Sequence, residues 1–246
     1  MLKGLIILQA RTGSTRLPNK VLLPLNHKPM IQWQIDRILS SEIAPLVVAT
    51  TSDTSDNILV DFLNSLNVET FRGSINNVFE RFSDILRINQ PDYFIRLTAD
   101  CPLFMPDLLR KMTYEFLNGD YEYYSNTLET SFPDGLDIEI IRTEAFFRLT
   151  SIDLTEQQRE HVTLGIYQNP DKFKIGNFKS DLDLSNMRWT VDYLEDYQFV
   201  CSIYEKIKGR ELTFNTKDIL DLLDSGVVAN NSISPEFRNI ALKQEE

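Results

Sequence analysis

The chain has 246 residues, of which 42% are hydrophobic and 25% are charged, so it can bury a substantial core and is predicted to form a single domain over 1–246. Its formal net charge of −11 at pH 7 argues against a nucleic-acid partner, because binding a phosphate backbone normally requires a basic surface. No apolar stretch approaches the roughly 20 residues that span a bilayer, so no membrane partner is predicted. Cys101 and Cys201 are far apart, which predicts reduced thiols and a cytoplasmic location.

The first half of the chain alternates strand-like and helix-like patterns. Apolar runs predict strands at about 4–9, 46–50, 68–71 and 93–98. Amphipathic patterns predict helices at about 28–40, 54–66, 76–89 and 106–118. The residues that can cap or open these helices are Asp53 or Ser55, Asn76 or Asn77, and Pro106. This alternation predicts right-handed βαβ units around a mostly parallel sheet, and therefore an α/β fold.

The pattern changes after Gly119. An aromatic segment at 121–124 leads through a turn-rich stretch at 133–135 to a strand-like stretch at 136–141. We interpret 119–142 as a small antiparallel insertion that covers a substrate site, and for its aromatic residues we favour a plain core role over a contact with the substrate. The rest of the chain predicts helices at about 156–168, 193–208 and 215–225 and a strand near 186–191.

The loop that follows the first predicted strand is rich in groups that bind phosphate. Its positive charges lie within ten residues, and the sequence shows no other partner for them: Arg11, Arg16 and Lys20. Gly13 allows close backbone approach to a phosphate, and Ser14 can donate a hydrogen bond. The loop has neither the G-x-x-x-x-G-K-[ST] nor the G-x-G-x-x-G pattern, which disfavours ATPase and dehydrogenase functions. It predicts a polyphosphate site at the carboxyl edge of the sheet, the alternative being a solvated basic turn.

Asp100 lies just beyond the apolar stretch 93–97, in a turn stiffened by Pro102. Its carboxylate is therefore expected at the same edge of the sheet as the basic loop. A carboxylate oxygen beside bound phosphates suits Mg²⁺, which uses one or two protein carboxylates together with substrate oxygens. Helix capping is the alternative role for an aspartate in this position.

The stretch 10–20 resembles the A-R-x-G-S-x-R-L-P-x-K signature of the cytidylyltransferases that activate sugars and acidic sugars. The resemblance is to the branch of that family named for spore coat polysaccharide biosynthesis protein F. It continues through motifs at 28–30, 47–51, 71–74, 98–103, 125–127, 133–137, 159–163 and 188–192. Because many motifs occur in the same order, the resemblance covers most of the chain.

The resemblance implies a three-layer α/β/α fold of the nucleotide-diphospho-sugar transferase type, which is Rossmann-like. It implies one nucleotidyltransferase domain that transfers CMP from CTP to a sugar or acidic sugar and releases pyrophosphate for polysaccharide synthesis. The implied cofactor is Mg²⁺, with Asp192 joining Asp100 as the second metal carboxylate. The implied partners are CTP and a small sugar or sugar acid, and a homodimer is left open.

The resemblance also assigns the remaining site residues. The residues implied for catalysis are Arg11, Lys20, Asp100 and Asp192. The residues implied for the nucleotide are Ala10, Arg11, Gly13, Ser14, Arg16, Lys20, Arg72 and Thr98, and the alternative role for Arg72 is to solvate a turn beside Gly73. Those implied for the sugar are Asn126, Asp137, Glu160 and His161. Asp134 is a further sugar candidate, with an ordinary turn as its alternative role, and His161 has a structural role as its alternative.

The motif at Thr98 departs from the sugar-acid branch, which has Gln-Gly-Asp where this chain has Thr-Ala-Asp. A glutamine that helps to read cytosine is therefore absent, and CTP is expected by resemblance alone. A glycosyltransferase that consumes a nucleotide sugar is the main alternative, because it shares the architecture. The second alternative is a nucleotide-sensing protein without catalytic activity. The cations of the basic loop favour an enzyme that releases pyrophosphate.

Overall fold

The structure is a computed structural model that describes residues 2–151 and 154–232. The strands in these ranges are β1 (Gly4–Gln9), β2 (Pro24–Leu25), β3 (Lys28–Pro29), β4 (Leu46–Thr51), β5 (Thr70–Gly73), β6 (Tyr93–Thr98), β7 (Tyr123–Ser125), β8 (Glu139–Arg142) and β9 (Ile175–Asn177). The α-helices are α1 (Met30–Leu39), α2 (Asn57–Ser65), α3 (Val78–Asn89), α4 (Pro106–Asn118), α5 (Thr143–Arg148), α6 (Glu156–Glu160), α7 (Leu164–Tyr167), α8 (Leu194–Lys206) and α9 (Thr216–Asp224).

The main sheet has seven strands in the order β5-β4-β1-β6-β8-β7-β9. Strands β5, β4, β1 and β6 are mutually parallel, whereas β8 runs antiparallel to both β6 and β7. Gln9 at the end of β1 pairs with Ala49 on one side and Thr98 on the other. The carboxyl ends of three strands therefore meet at one edge, where the basic loop begins.

Helices cover both faces of this sheet. On β1, Ile6 and Leu8 pack into a core formed with α1, α4 and α8, because alternate side chains of a strand point to opposite faces. Leu5 and Ile7 pack into a second core with α3 and α5. The predicted three-layer α/β/α fold with a mostly parallel sheet is confirmed.

Local sequence signals set several helix starts. Asn77 caps α3 by accepting a hydrogen bond from the backbone N–H of Glu80 at 3.0 Å, and Pro106 occupies the first turn of α4. Asp53 caps the short 3₁₀ turn before α2 by accepting from Ser55 at 2.8 Å. The first predicted helix begins two residues late, because Lys28–Pro29 pairs with Pro24–Leu25 as a small antiparallel sheet.

The region predicted as an insertion extends the main sheet. Tyr123 and Tyr124 are 0% and 3% exposed, and they point into opposite cores, so β7 behaves as a buried strand. The predicted strand at 136–141 is shorter, and forms only at Glu139–Arg142. The role of 119–142 as a cover over a substrate stays a prediction.

Two predicted elements of the second half are wrong. The strand predicted near 186–191 is replaced by an extended segment that makes isolated bridges, from Asp134 to Arg188 and from Met187 to Ser232. The helix predicted at 156–168 breaks into α6 and α7 at His161, where the backbone leaves the helical region with ψ of 47°. Just after this break, Thr163 turns toward the sheet and donates a hydrogen bond to Glu139 at 2.5 Å.

Candidate active site

A lysine sits between the two aspartates predicted to bind metal. The Nζ atom of Lys20 lies 3.0 Å from Oδ2 of Asp100 and 2.8 Å from Oδ1 of Asp192, and it donates to the carbonyl of Val191 at 2.9 Å. Asp100 follows the end of β6, as predicted. Asp192 follows the extended segment 186–191 instead of a strand, yet the chain brings both carboxylates to one ammonium group at the carboxyl edge.

This cluster is charged in the folded protein. Burial raises the pKa of Asp100, but the charge of Lys20 and the neighbouring hydrogen bonds together outweigh burial and lower that pKa to about 2. Burial would lower the pKa of Lys20, yet the two carboxylates raise it above its ordinary value. Burial and the nearby Asp100 raise the pKa of the Cys101 thiol, so this cysteine stays protonated. The site therefore holds an ammonium between two carboxylates.

Arg188 fixes the orientation of Asp192. Its Nη2 atom donates to Oδ2 of Asp192 at 3.0 Å, while Nη1 donates to Asp134 at 2.9 Å. Asp196 supports both residues, since it accepts from Nε of Arg188 at 2.8 Å and from the backbone N–H of Asp192 at 2.9 Å. Burial would lower the pKa of Arg188, but the carboxylates of Asp196, Asp134 and Asp192 outweigh burial and raise that pKa. The sequence analysis assigned no role to Arg188 or Asp196.

Gly135 allows the turn that carries Asp134 to approach this segment. Its φ of +108° lies in the region that favours glycine, and a Cβ at this position would lie 2.5 Å from the backbone nitrogen of Thr190. The backbone of Asp134 bonds to Met187 and Trp189 across the same contact, at 3.0 and 2.7 Å. The close backbone contact is what places Asp134 against Arg188.

The basic loop is anchored by Asp56, a residue that the sequence analysis did not single out. The backbone N–H and the hydroxyl of Thr12 both donate to Oδ1 of Asp56 at 2.7 Å. Four residues around this anchor that were predicted to bind nucleotide differ in their exposure to solvent. Arg11 and Gly13 are exposed, Ser14 is half-buried and accepts from Leu17 at 3.3 Å, and Arg16 is exposed.

The expectation that the loop cations have no other partner is wrong for two of them. Lys20 binds both aspartates, and Nη2 of Arg16 lies 2.8 Å from Oδ1 of Asp192. The guanidinium of Arg16 also lies over the ring of Tyr193, 5.0 Å from its centroid. The sequence placed these aspartates at the same sheet edge as the loop, but it did not indicate that they would pair with the loop cations, because the partners lie far away in the chain.

The other residues that were predicted to bind the nucleotide lie at or near the ends of strands. All three guanidinium nitrogens of Arg72 donate within the protein, to Thr51 at 3.0 Å, Asn57 at 2.7 Å and Asp53 at 2.7 Å. This arginine therefore ties β5 to the connection that follows β4, consistent with the structural role of a turn-side arginine. The remaining two, Ala10 and Thr98, lie beside the loop: Ala10 is buried and bonded to β4, and Thr98 is half-buried.

The predicted sugar residues are in different settings. Asn126 is 0% exposed, and its amide bonds the backbone of Leu136 at 2.8 Å and of Ile138 at 2.9 Å, so both polar atoms serve the fold. Asp137 is half-buried, and after burial and Asp100 its charge helps to raise the pKa of the Cys101 thiol. The other two lie at the end of α6, with Glu160 exposed and His161 half-buried.

A buried polar network, which the sequence analysis missed, lies behind the sheet edge. Arg96 forms an ion pair with Oε2 of Glu139 and donates to Oε1 of Gln9 at 3.3 Å. Tyr123 and Thr163 donate to the other oxygen of Glu139 at 2.6 and 2.5 Å. The sequence signal that could have revealed this network is Arg96, a charged residue within a mostly apolar strand, because a buried charge requires a partner.

The donor set of this edge suits a divalent cation. Among residues 2–151 and 154–232, no three or more His, Cys, Asp and Glu side chains gather into a metal cage. Mg²⁺ uses one or two carboxylates plus phosphate oxygens and water, and Asp100 and Asp192 supply that number of carboxylates. Their oxygens already hold one cation, the ammonium of Lys20, so the pair fits the charge of a metal ion. None of the described helices is long and apolar enough to cross a membrane.

A mostly parallel sheet that carries a basic loop and paired aspartates at its carboxyl edge defines the nucleotide-diphospho-sugar transferase type of α/β protein. A family model described as Cytidylyltransferase matches residues 5–220. The chain therefore belongs to the cytidylyltransferase family.

Individual relatives agree with this assignment. The chain is 31% identical over 230 residues to spore coat polysaccharide biosynthesis protein SpsF of Bacillus subtilis, which covers 89% of this chain and 93% of that protein. A cytidylyltransferase structure from Leptospira borgpetersenii has a TM-score of 0.88 and 30% identity, covering 95% of this chain and 100% of the other. CMP:2-keto-3-deoxy-manno-octonic acid synthetase complexed with CTP shares the fold, with a TM-score of 0.64 and 17% identity over 83% of this chain and 99% of that one.

Proposed function

We propose that this protein transfers CMP from CTP to a sugar or an acidic sugar, releases pyrophosphate, and serves the synthesis of a polysaccharide or glycan. The observation that carries the proposal is the placement of Lys20 between Asp100 and Asp192, beside the basic loop at the carboxyl edge of the sheet. The name of the Bacillus subtilis relative supports a polysaccharide product, and the CTP-bound synthetase of the same fold supports CTP as donor.

The residues of this chain supply charge and alignment, which are the main requirements of nucleotidyl transfer. A sugar oxygen attacks the α-phosphorus of CTP while the bond to pyrophosphate breaks. Arg11, Arg16 and Lys20 bind the β- and γ-phosphates and stabilise the negative charge that gathers on the leaving pyrophosphate. Asp100 and Asp192 would hold Mg²⁺, which neutralises phosphate charge and polarises the reacting phosphorus when bound. Ala10, Gly13, Ser14 and Thr98 would line the nucleotide, as the resemblance implies.

The acceptor would lie on the side of the cluster that faces the 133–137 turn. Asp137 lies close enough to Cys101 for its charge to act on the thiol, and Asp134 is held by Arg188. Glu160 and His161 would reach the acceptor from the end of α6, while Asn126 would shape the pocket by fixing the backbone at Leu136 and Ile138. We propose that the chain acts as one domain in the cytoplasm, where its two free cysteines would stay reduced.

CTP should stabilise the protein more than ATP or GTP does when Mg²⁺ is present. A pyrimidine is smaller than a purine, so a pocket shaped for cytosine rejects purines partly by size. The measurement is a thermal-shift screen of the four nucleoside triphosphates with Mg²⁺, followed by pyrophosphate release across a panel of sugars and sugar acids. A larger shift with ATP or GTP would overturn the choice of base, and release of UDP from a UDP-sugar or of CMP from a CMP-sugar, without pyrophosphate, would point to a glycosyltransferase.

Arg16→Ala should weaken CTP binding by about tenfold and CMP binding much less, because an arginine near the leaving group loses a charge-assisted contact to the β- or γ-phosphate. Isothermal titration calorimetry with each nucleotide measures the difference. Arg87→Ala is the matched control, since Arg87 is an exposed arginine on α3 that pairs with Asp84. Equal losses for CTP and CMP would remove Arg16 from the leaving-group end of the site.

A further inference from the structure

Lys20 occupies the position at which the two aspartates converge. The side chain is only 11% exposed, and its ammonium is within 3.0 Å of one oxygen of Asp100 and one of Asp192. The second oxygen of each carboxylate is engaged elsewhere. Oδ1 of Asp100 accepts from the thiol of Cys101 at 3.4 Å, and Oδ2 of Asp192 accepts from Arg188 at 3.0 Å. A metal ion held by both carboxylates would therefore use the two oxygens that face Lys20, of which Oδ1 of Asp192 also pairs with the exposed Arg16 at 2.8 Å.

The ammonium and a metal ion compete for the position between these two oxygens. Mg²⁺ binds carboxylate oxygen at about 2.0–2.1 Å in near-octahedral geometry, so an ion that bridged Asp100 and Asp192 would overlap the Nζ atom. The two cations would also repel each other at that separation. Metal binding at this pair thus requires Lys20 to leave.

We propose that Lys20 has two positions in the reaction cycle: it closes the metal site in the free protein, and it moves to the triphosphate when CTP binds. The inference rests on the proposed function, in which Lys20 binds the phosphates of CTP. It makes metal entry conditional on the nucleotide, because phosphate oxygens give the ammonium a new partner and release the carboxylates.

The local structure permits this movement. Lys20 begins a single 3₁₀ turn, Lys20–Leu22, directly after the basic loop, and the preceding Asn19 has a left-handed backbone with φ of 57°. The ammonium sits on a flexible four-carbon stem, so it can change partners while the backbone stays in place. Arg188 and Arg16 remain beside Asp192, and they keep that carboxylate oriented after Lys20 leaves.

The test is Mn²⁺ binding to the free protein without nucleotide, followed by the electron paramagnetic resonance signal of unbound Mn²⁺. Lys20→Met is expected to bind Mn²⁺ at least about tenfold more tightly than the unmodified protein, because it removes the ammonium that pairs with both half-buried carboxylates. The gain should vanish in the double variant Lys20→Met with Asp100→Asn. Lys28→Met is the matched control, since Lys28 pairs with Asp36 outside the site, and it should bind Mn²⁺ like the unmodified protein.

Two results would overturn the inference: Lys20→Met that binds Mn²⁺ no more tightly, or a gain that survives the loss of Asp100. Lys20→Gln, which retains a donor for the carbonyl of Val191, gives the same comparison if the methionine variant does not fold. The Mn²⁺ measurement uses no CTP or acceptor, so its failure is distinct from a failure of the proposed function. In the same variant CTP binding should weaken while Mn²⁺ binding strengthens, and a purely structural lysine would not produce these opposite signs.

Discussion

Asp100→Asn is expected to reduce turnover by roughly two orders of magnitude or more while the fold survives. Asparagine keeps the shape of the side chain but removes the charge that pairs with Lys20 and would hold the metal ion. Lys20 retains its contacts with Asp192 and Val191, so it is not left as an unpaired buried charge. Asp192→Asn should behave similarly, because Asp196 still accepts from the backbone N–H of residue 192 and still holds Arg188, which keeps that segment in place.

The measurement is pyrophosphate release from CTP and Mg²⁺, with the sugar or sugar acid that the substrate panel identifies, and circular dichroism to confirm folding. Asp107→Asn is the matched control. Asp107 is 71% exposed on α4 and pairs with Arg110, so its loss should leave turnover unchanged. A folded Asp100→Asn protein with near-normal pyrophosphate release would rule out Asp100 as a metal ligand.

The fold could be predicted where local pattern and tertiary structure agree. The apolar runs at β1, β4 and β6 read as buried parallel strands because both of their faces are covered by helices. The segment 186–191 shows the limit of that reasoning. Its Trp189 and Val191 are buried, but its backbone bonds to Asp134, Asp100 and Asn231, and among the described residues it forms isolated bridges in place of a strand pairing.

The sequence predicted which residues form the site, but it did not predict which of them contact each other. The motifs placed Asp100, Asp192 and the basic loop at one edge, and the structure brings them together. The partners within the cluster could not be read from the sequence, because ion pairs such as Lys20 with Asp192 join residues 172 positions apart. For the same reason Asp56, which anchors the loop through Thr12, carried no signal of its own.

The largest expected effect on stability is that of Glu139→Gln, which should reduce the free energy of unfolding by about 3–5 kcal/mol. Burial raises the pKa of Glu139, but Arg96 and the donors Thr163 and Tyr123 more than offset it, so the group is ionised in the folded protein. Glutamine removes the counter-charge and leaves the guanidinium of Arg96 buried without one. Its amide group also places donors where Tyr123 or Arg96 donates.

Urea unfolding followed by circular dichroism gives this free energy, and Glu129→Gln is the matched control. Glu129 pairs with Lys179 on the surface, with both side chains more than half exposed, so its loss should change stability by no more than about 0.5 kcal/mol. Lowering the pH should cause a similar loss of unfolding free energy in the unmodified protein. A carboxylate whose pKa is lowered by folding contributes stability above its ordinary pKa of 4.5, and that contribution is lost as the pH falls through the lowered value. Equal stability of the two glutamine variants at neutral pH would show that the Arg96–Glu139 pair does not hold β6, β8 and the 156–167 segment together.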